Sequence, residues 1–298
     1  MKVNVAVIQD APVLFDLKKS LTKIHQLAKA ASIGNPDILI FPEAFIPGYP
    51  RGLSFGTSVG SRSDEGRELW LKYAENSLMI PSAETNILGE IAKEFDTYLI
   101  IGVIEKSESG TLYCSVLYFD KQGKLLGKHR KLKPTGTERV IWGEGDGSDL
   151  TTYKTLFGKI GGLICWENYM PLPRAYLYES GIDIYIAPTA DQRDSWQATM
   201  KHIACEGRCF VIGCNQYVTK EDYPKDLLDE LSGQDHVMSK GGSVIVDPFG
   251  NTVEGPLWDK SGILHAELDM NLVIKSKLDF DVTGHYARPD VFELKKKN

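Results

Sequence analysis

Apolar residues fall into short dense runs, separated by segments in which they recur every three or four positions. Val3–Ile8 is the first run and predicts a strand buried on both faces. Leu17, Leu21, Ile24, Leu27 and Ala31 follow at helical spacing. Asp37–Phe41 predicts a short strand stopped by Pro42, Thr85–Phe95 a helix and Tyr98–Ile104 another strand. Leu112–Phe119, the turn Asp120–Gly123 and the return Lys124–Lys131 form the pattern of a hairpin. Lys159–Ile164 predicts a strand ending at Cys165, and Ile182–Ala187 a further buried strand. Arg174–Glu179 and Asp194–Glu206 read as helices, and Phe210–Gly213 as extended chain. A second hairpin, Ser243–Val246, Asp247–Gly250 and Thr252–Val253, precedes a late strand at Ile263–Leu268.

Strands alternating with helices, with hairpins between, imply a mixed-sheet α/β architecture. Both hairpins repeat the order apolar run, Asp, two residues, Gly, which suggests two related halves, each a sheet with helices on one side. Asp and Gly also recur in unrelated hairpins because they suit the turn, so the repeat has an ordinary reading too. No Pro/Gly/Ser-rich linker divides the halves, and residues 1–298 read as one domain.

Composition narrows the function classes. At 298 residues and 42% hydrophobic, the chain is long enough to bury a sizeable core. A net charge of −6 makes it a poor general partner for nucleic acid or anionic membrane. The basic run Lys295, Lys296, Lys297 reads as a solvated end. No signal peptide and no membrane-spanning run is evident. The odd set Cys114, Cys165, Cys205, Cys209 and Cys214 fits reduced thiols and a cytoplasmic home.

Four residues stand where chemistry is placed in α/β proteins. Cys165 follows the apolar strand that ends at Ile164, and strand C-termini present reactive groups. Glu43 lies just past the strand that Pro42 terminates; a partly desolvated carboxylate there takes a proton near neutrality. Lys131 ends the return strand of the first hairpin, and alternation puts Lys133 on its face and Arg130 on the other. An ammonium fixed there lowers a thiol pKa and stabilises developing negative charge. Glu138, seven residues later, adds a second carboxylate within reach. Singly, each has a plainer reading: a buried free cysteine, a turn-capping carboxylate, an edge-strand lysine, a salt bridge. Together a thiol, a base and a cation suit attack on an electrophilic carbon bearing nitrogen. No H-x-x-x-H or C-x-x-C metal spacing and no phosphate loop occurs, and Cys205, Cys209 and Cys214 read as packing residues.

The blocks F-P-E-A-F-I-P-G-Y-P-R-G at 41–52, H-R-K-L-K-P-T-G-T-E-R-V-I-W-G-E-G-D-G at 129–147, C-W-E-N-Y-M-P-L at 165–172 and G-H-Y-A-R-P-D-V-F at 284–292 resemble the nitrilase superfamily, and within it the nitrilase branch. The resemblance runs nearly the whole chain. It implies a four-layer α-β-β-α sandwich and a Glu-Lys-Cys triad, with Cys165 as nucleophile, Glu43 as general base, Lys131 as cationic stabiliser and Glu138 as a second glutamate in the site. It implies a small-molecule nitrile converted to acid and ammonia with no metal or organic cofactor, and assembly into dimers and spiral filaments. Trp166 and Glu167 are similar to the nitrilase branch, and Asn168 with Ile46–Gly52 to enzymes acting on arylacetonitriles. Phe45, Tyr49, Trp142, Trp166 and Tyr169 lie in or beside the motifs as candidate pocket residues, or as packing beneath it. An amidase or carbamoyl-hydrolase on the same triad, and a non-catalytic scaffold, are the competing readings.

Overall fold

A computed structural model describes residues 1–297. The first half runs β1 (Lys2–Gln9), α1 (Leu17–Ala31), β2 (Ile38–Ile40), the small pair β3 (Thr57–Ser58) and β4 (Ser61–Arg62), α2 (Asp64–Glu75), α3 (Ala83–Glu94), β5 (Tyr98–Lys106), β6 (Leu112–Phe119) and β7 (Leu125–Arg130). The second runs β8 (Tyr153–Thr155), β9 (Gly158–Gly162), α4 (Pro171–Glu179), β10 (Ile184–Pro188), α5 (Asp194–Gly207), β11 (Phe210–Cys214), β12 (Tyr217–Thr219), β13 (Val237–Val246) and β14 (Thr252–Trp258). β15 (Gly262–Asp269) and α6 (Asn271–Ser276) follow.

The two main sheets share one plan. In the first, β1, β2 and β5 are parallel, β6 and β7 continue antiparallel, and β15 lies antiparallel outside β1. In the second, β9, β10 and β11 are parallel, β13 and β14 continue antiparallel, and β8 lies antiparallel outside β9. The related halves anticipated from the two Asp/Gly hairpins correspond to this repeated topology.

Side-chain alternation along the strands produces the layers. Val3, Val5, Val7, Ile38, Ile40 and Ile100 face a central core shared with Ile160, Ile184, Ile186 and Ile212 of the other sheet. Their neighbours Ala6, Ile8, Leu39, Leu99 and Ile101 face Leu21, Ile24, Leu88 and Ile91 of α1 and α3. Tyr185, Ala187 and Val211 face Leu177, Trp196, Met200 and Ile203 of α4 and α5. Three cores between four layers make an α-β-β-α sandwich. Strands covered on both faces must be apolar on both, which is why they read as continuous runs.

The alternation expected at the end of the first hairpin does not continue as far as Lys133. β7 stops at Arg130, and the chain bends beyond it. Lys131 turns inward and is buried, whereas Lys133 is exposed and pairs with Glu144. No helix among the described residues is long and apolar enough to cross a membrane.

Candidate active site

Segments that follow β2 and β7 of one sheet and β9 of the other bring the key side chains to one place. Glu43 follows β2 in a stretch still bonded to β5: Phe41 N donates to Ile100 O at 2.8 Å, Gly102 N to Pro42 O at 3.2 Å and Phe45 N to Gly102 O at 2.8 Å. Gln216 Nε2 donates to the Glu43 carbonyl at 2.6 Å. Gly102 permits this approach, because a β-carbon there would lie 2.3 Å from Pro42 O and 2.6 Å from Glu43 Cα. Gly102→Ala is therefore expected to displace Glu43 and to lower kcat by about 10²-fold, at a stability cost of about 1–3 kcal/mol. Steady-state rates read beside a thermal melt check both parts.

Lys131 is the centre of the cluster. Its Nζ donates to Glu43 Oε1 at 2.7 Å and to Glu138 Oε2 at 2.8 Å, and all three side chains are buried. Tyr49 donates to the other Glu138 oxygen at 2.7 Å. Lys131 Nζ also lies 5.7 Å from the Trp142 ring centroid. Burial pushes the Glu43 carboxyl up, Lys131 pulls it back, and Glu138 pushes it up again; the net effect is a raised pKa. Glu43 Oε2 has no hydrogen-bond partner within the described residues. The Cys165 thiol lies beside the same carboxylate and favours its charged form.

Cys165 ends the β9 segment with φ at 51°, in the left-handed region that a non-glycine residue seldom adopts. Thr189 donates to its Sγ at 3.2 Å. Asn168 holds the turn, donating to Leu163 O at 2.9 Å and to Cys165 O at 2.8 Å. The thiol pKa is pushed up to about 12, by burial first and the Glu43 charge second, against the pull of Lys131. Lys131 lowers the thiol pKa, the direction expected from the sequence, but burial and the Glu43 charge outweigh it.

A second thiol also touches the carboxylate: Cys114 lies 3.6 Å from Glu43 Oε1. It sits mid-strand in β6 and is wholly buried. Sequence inspection passes over Cys114 and Thr189, because their contacts with Glu43 and Cys165 bridge distant segments.

A cleft of about 920 Å³ is lined by Tyr49, Arg51, Trp70, Glu138 and Trp142 among others. Glu138 joins the cleft to the buried cluster. Of the candidate pocket aromatics, Tyr49 and Trp142 line this cleft. Phe45 does not: it packs in the helix-side core with its ring 5.1 Å from that of Phe41, because the residue after Ala44 faces the helices. Trp166 and Tyr169 lie outside this cleft, partly exposed and edge to face at 5.8 Å. Trp166 Nε1 donates to Asp191 at 2.9 Å, under the Arg193 guanidinium.

Behind the cluster His129 is buried between Glu167 and Asp149. Burial opposes its charge, but Glu167 and then Asp149 outweigh it and raise the imidazole pKa to about 9. A folded-state value above the unfolded one adds stability that is complete below about pH 6.5 and lost as pH rises through about 9. Urea unfolding of the protein and its His129→Gln variant across that window is expected to show their difference shrinking by about 3 kcal/mol.

A carbon-nitrogen hydrolase family model matches residues 4–277. The chain belongs to the carbon-nitrogen hydrolase family. Among relatives of this hydrolase, an aliphatic nitrilase of Sinorhizobium fredii is 49% identical, over 98% of this chain and 95% of that protein. A bifunctional nitrilase/nitrile hydratase, NIT4B, of Nicotiana tabacum is 47% identical over 98% and 85% respectively. The solved Saccharomyces cerevisiae Nit3, of the nitrilase superfamily, superposes with a TM-score of 0.74 at 21% identity over 96% of each chain, and this likeness bears on the fold.

Proposed function

We propose that this hydrolase is a nitrilase, converting a nitrile and two waters into a carboxylate and ammonium. The observation that carries the reading is the buried Glu43–Lys131–Glu138 array with the Cys165 thiol beside Glu43. Glu43 takes the thiol proton as sulfur attacks the nitrile carbon, and Lys131 supports the charge appearing on nitrogen, giving a thioimidate. Water adds to form a tetrahedral carbon. Departure of ammonia leaves a thioester, which a second water, deprotonated by Glu43, cleaves to the acid and the free thiol. Departure of sulfur instead releases an amide. The tobacco relative's name pairs both outcomes.

The cleft's size and its aromatic walls of Tyr49, Trp70 and Trp142 suit aliphatic nitriles and arylacetonitriles alike. The decisive assay measures ammonia, acid and amide from a panel of both classes and from the matching amides. Turnover of nitriles supports the reading; turnover of amides alone replaces it with an amidase on the same residues. We further propose one hydrolase domain over residues 1–298 and assembly into dimers and spirals, both resting on family resemblance. Sedimentation of the full chain tests the assembly.

A further inference from the structure

Lys131 and Cys165 come from different sheets, yet nothing in the mechanism above fixes their separation. We propose that Glu167, with His129 and Asp149, is a positioning device that locks the lysine loop to the cysteine turn without touching substrate. This rests on the reading of Cys165 as the nucleophile.

The contacts converge on the residues flanking the two functional groups. Glu167 Oε2 accepts from Ile164 N at 2.7 Å, one residue before Cys165. Glu167 Oε1 accepts from Leu132 N at 2.6 Å, one residue after Lys131. On the other side of Lys131, Asp149 Oδ2 accepts from Arg130 N at 3.0 Å. His129 joins the two carboxylates, with Nε2 at 3.2 Å from both Glu167 oxygens and Nδ1 at 3.2 Å from Asp149 Oδ1. Lys131 is thus bracketed at the backbone on both sides, and one bracket extends to the turn that carries Cys165.

The ring chemistry sharpens the case. A neutral imidazole donates from only one nitrogen, yet each nitrogen here faces a carboxylate. The doubly protonated ring alone satisfies both contacts, and its charge offsets one of the two carboxylates, buried Glu167 and half-buried Asp149. The titratable groups facing His129 are Glu167 and Asp149; the phenols of Tyr118 and Tyr153 lie near those carboxylates. Loss of the proton loosens the bracket at both ends together.

Glu167→Gln keeps the shape but sets an amide N–H₂ against one backbone N–H. It is expected to lower kcat by about 10²-fold, because misplacement near 1 Å has that effect. KM should stay within about 3-fold, since uniform binding is untouched. Alkylation of Cys165 by iodoacetamide should slow in step. His129→Gln, the second variant in case the first does not fold, should lower kcat by about 10-fold and abolish the descending limb of kcat near pH 9 expected of the unaltered enzyme. Rates are referred to the concentration of folded protein. A folded variant of either kind with unaltered kcat and alkylation rate overturns the proposal, as does a loss explained wholly by a smaller folded fraction. Cys165→Ala run in parallel separates the two readings: its continued turnover removes the nitrilase mechanism itself, whereas an inactive Cys165→Ala beside an unimpaired Glu167→Gln removes only the positioning role.

Discussion

Cys165→Ala is expected to abolish ammonia release from nitriles, with a loss of at least about 10⁴-fold, because it removes the atom that carries every covalent intermediate. The fold should survive, since replacing a small buried thiol leaves little space to collapse, at a stability cost of about 1 kcal/mol. The informative control is Cys114→Ala. Both thiols lie beside Glu43, so proximity to the base does not separate them. Backbone placement does. Cys114 is paired within β6 to Ile104 of β5, and its carbonyl accepts from Lys131 N at 2.8 Å. Cys165 stands at a strand end on a left-handed residue, with its turn held by Asn168. Most activity should therefore remain in Cys114→Ala. Intact-protein mass spectrometry during turnover should show an acyl adduct in the unaltered chain and in Cys114→Ala, but none in Cys165→Ala. Turnover in Cys165→Ala above a few per cent, together with an adduct on Cys114, would reverse the assignment.

The second large effect belongs to Lys131→Met. Methionine roughly fills the volume but leaves Glu43 and Glu138 facing each other in a dry interior without the ammonium that separates them. Breaking a buried pair by removing one partner costs about 3–5 kcal/mol. The cost is pH-dependent with a definite sign. Without the cation, one carboxylate escapes the repulsion by keeping its proton. The variant should therefore be most destabilised at alkaline pH and recover as pH falls toward about 5. Denaturant midpoints at pH 5 and pH 8 test this, and an equal deficit at both would contradict it. Activity should fall as well, because the charge on the attacked nitrogen loses its partner.

Strands and site were legible in the chain for related reasons, and the gaps have physical causes. β1, β2, β5 and β10 are covered on both faces and so announce themselves as apolar runs. α2 escaped notice because Asp64–Glu75 buries little beyond Gly66, Tyr73 and Ala74 and carries no full apolar stripe. β8 and β12, three residues each on sheet edges, are too short to show a period. Glu43 and Cys165 were conspicuous because each follows a buried strand directly. Lys131 could be singled out, but not told from Lys133 by alternation, since the strand ends before both. His129 looked like one scattered histidine among six; its meaning comes from Asp149 and Glu167, 20 and 38 residues away. Phe45 shared a motif with Glu43 yet faces the helices, a distinction only the path of the backbone draws.

The repeated sheet plan has a consequence for how catalytic competence arises. The carboxylate and ammonium belong to one repeat and the sulfur to the other, so neither repeat holds a working set by itself. Recovery of turnover during refolding would then time the docking of the two repeats, and a chain severed between them would yield two inert fragments until they found each other again.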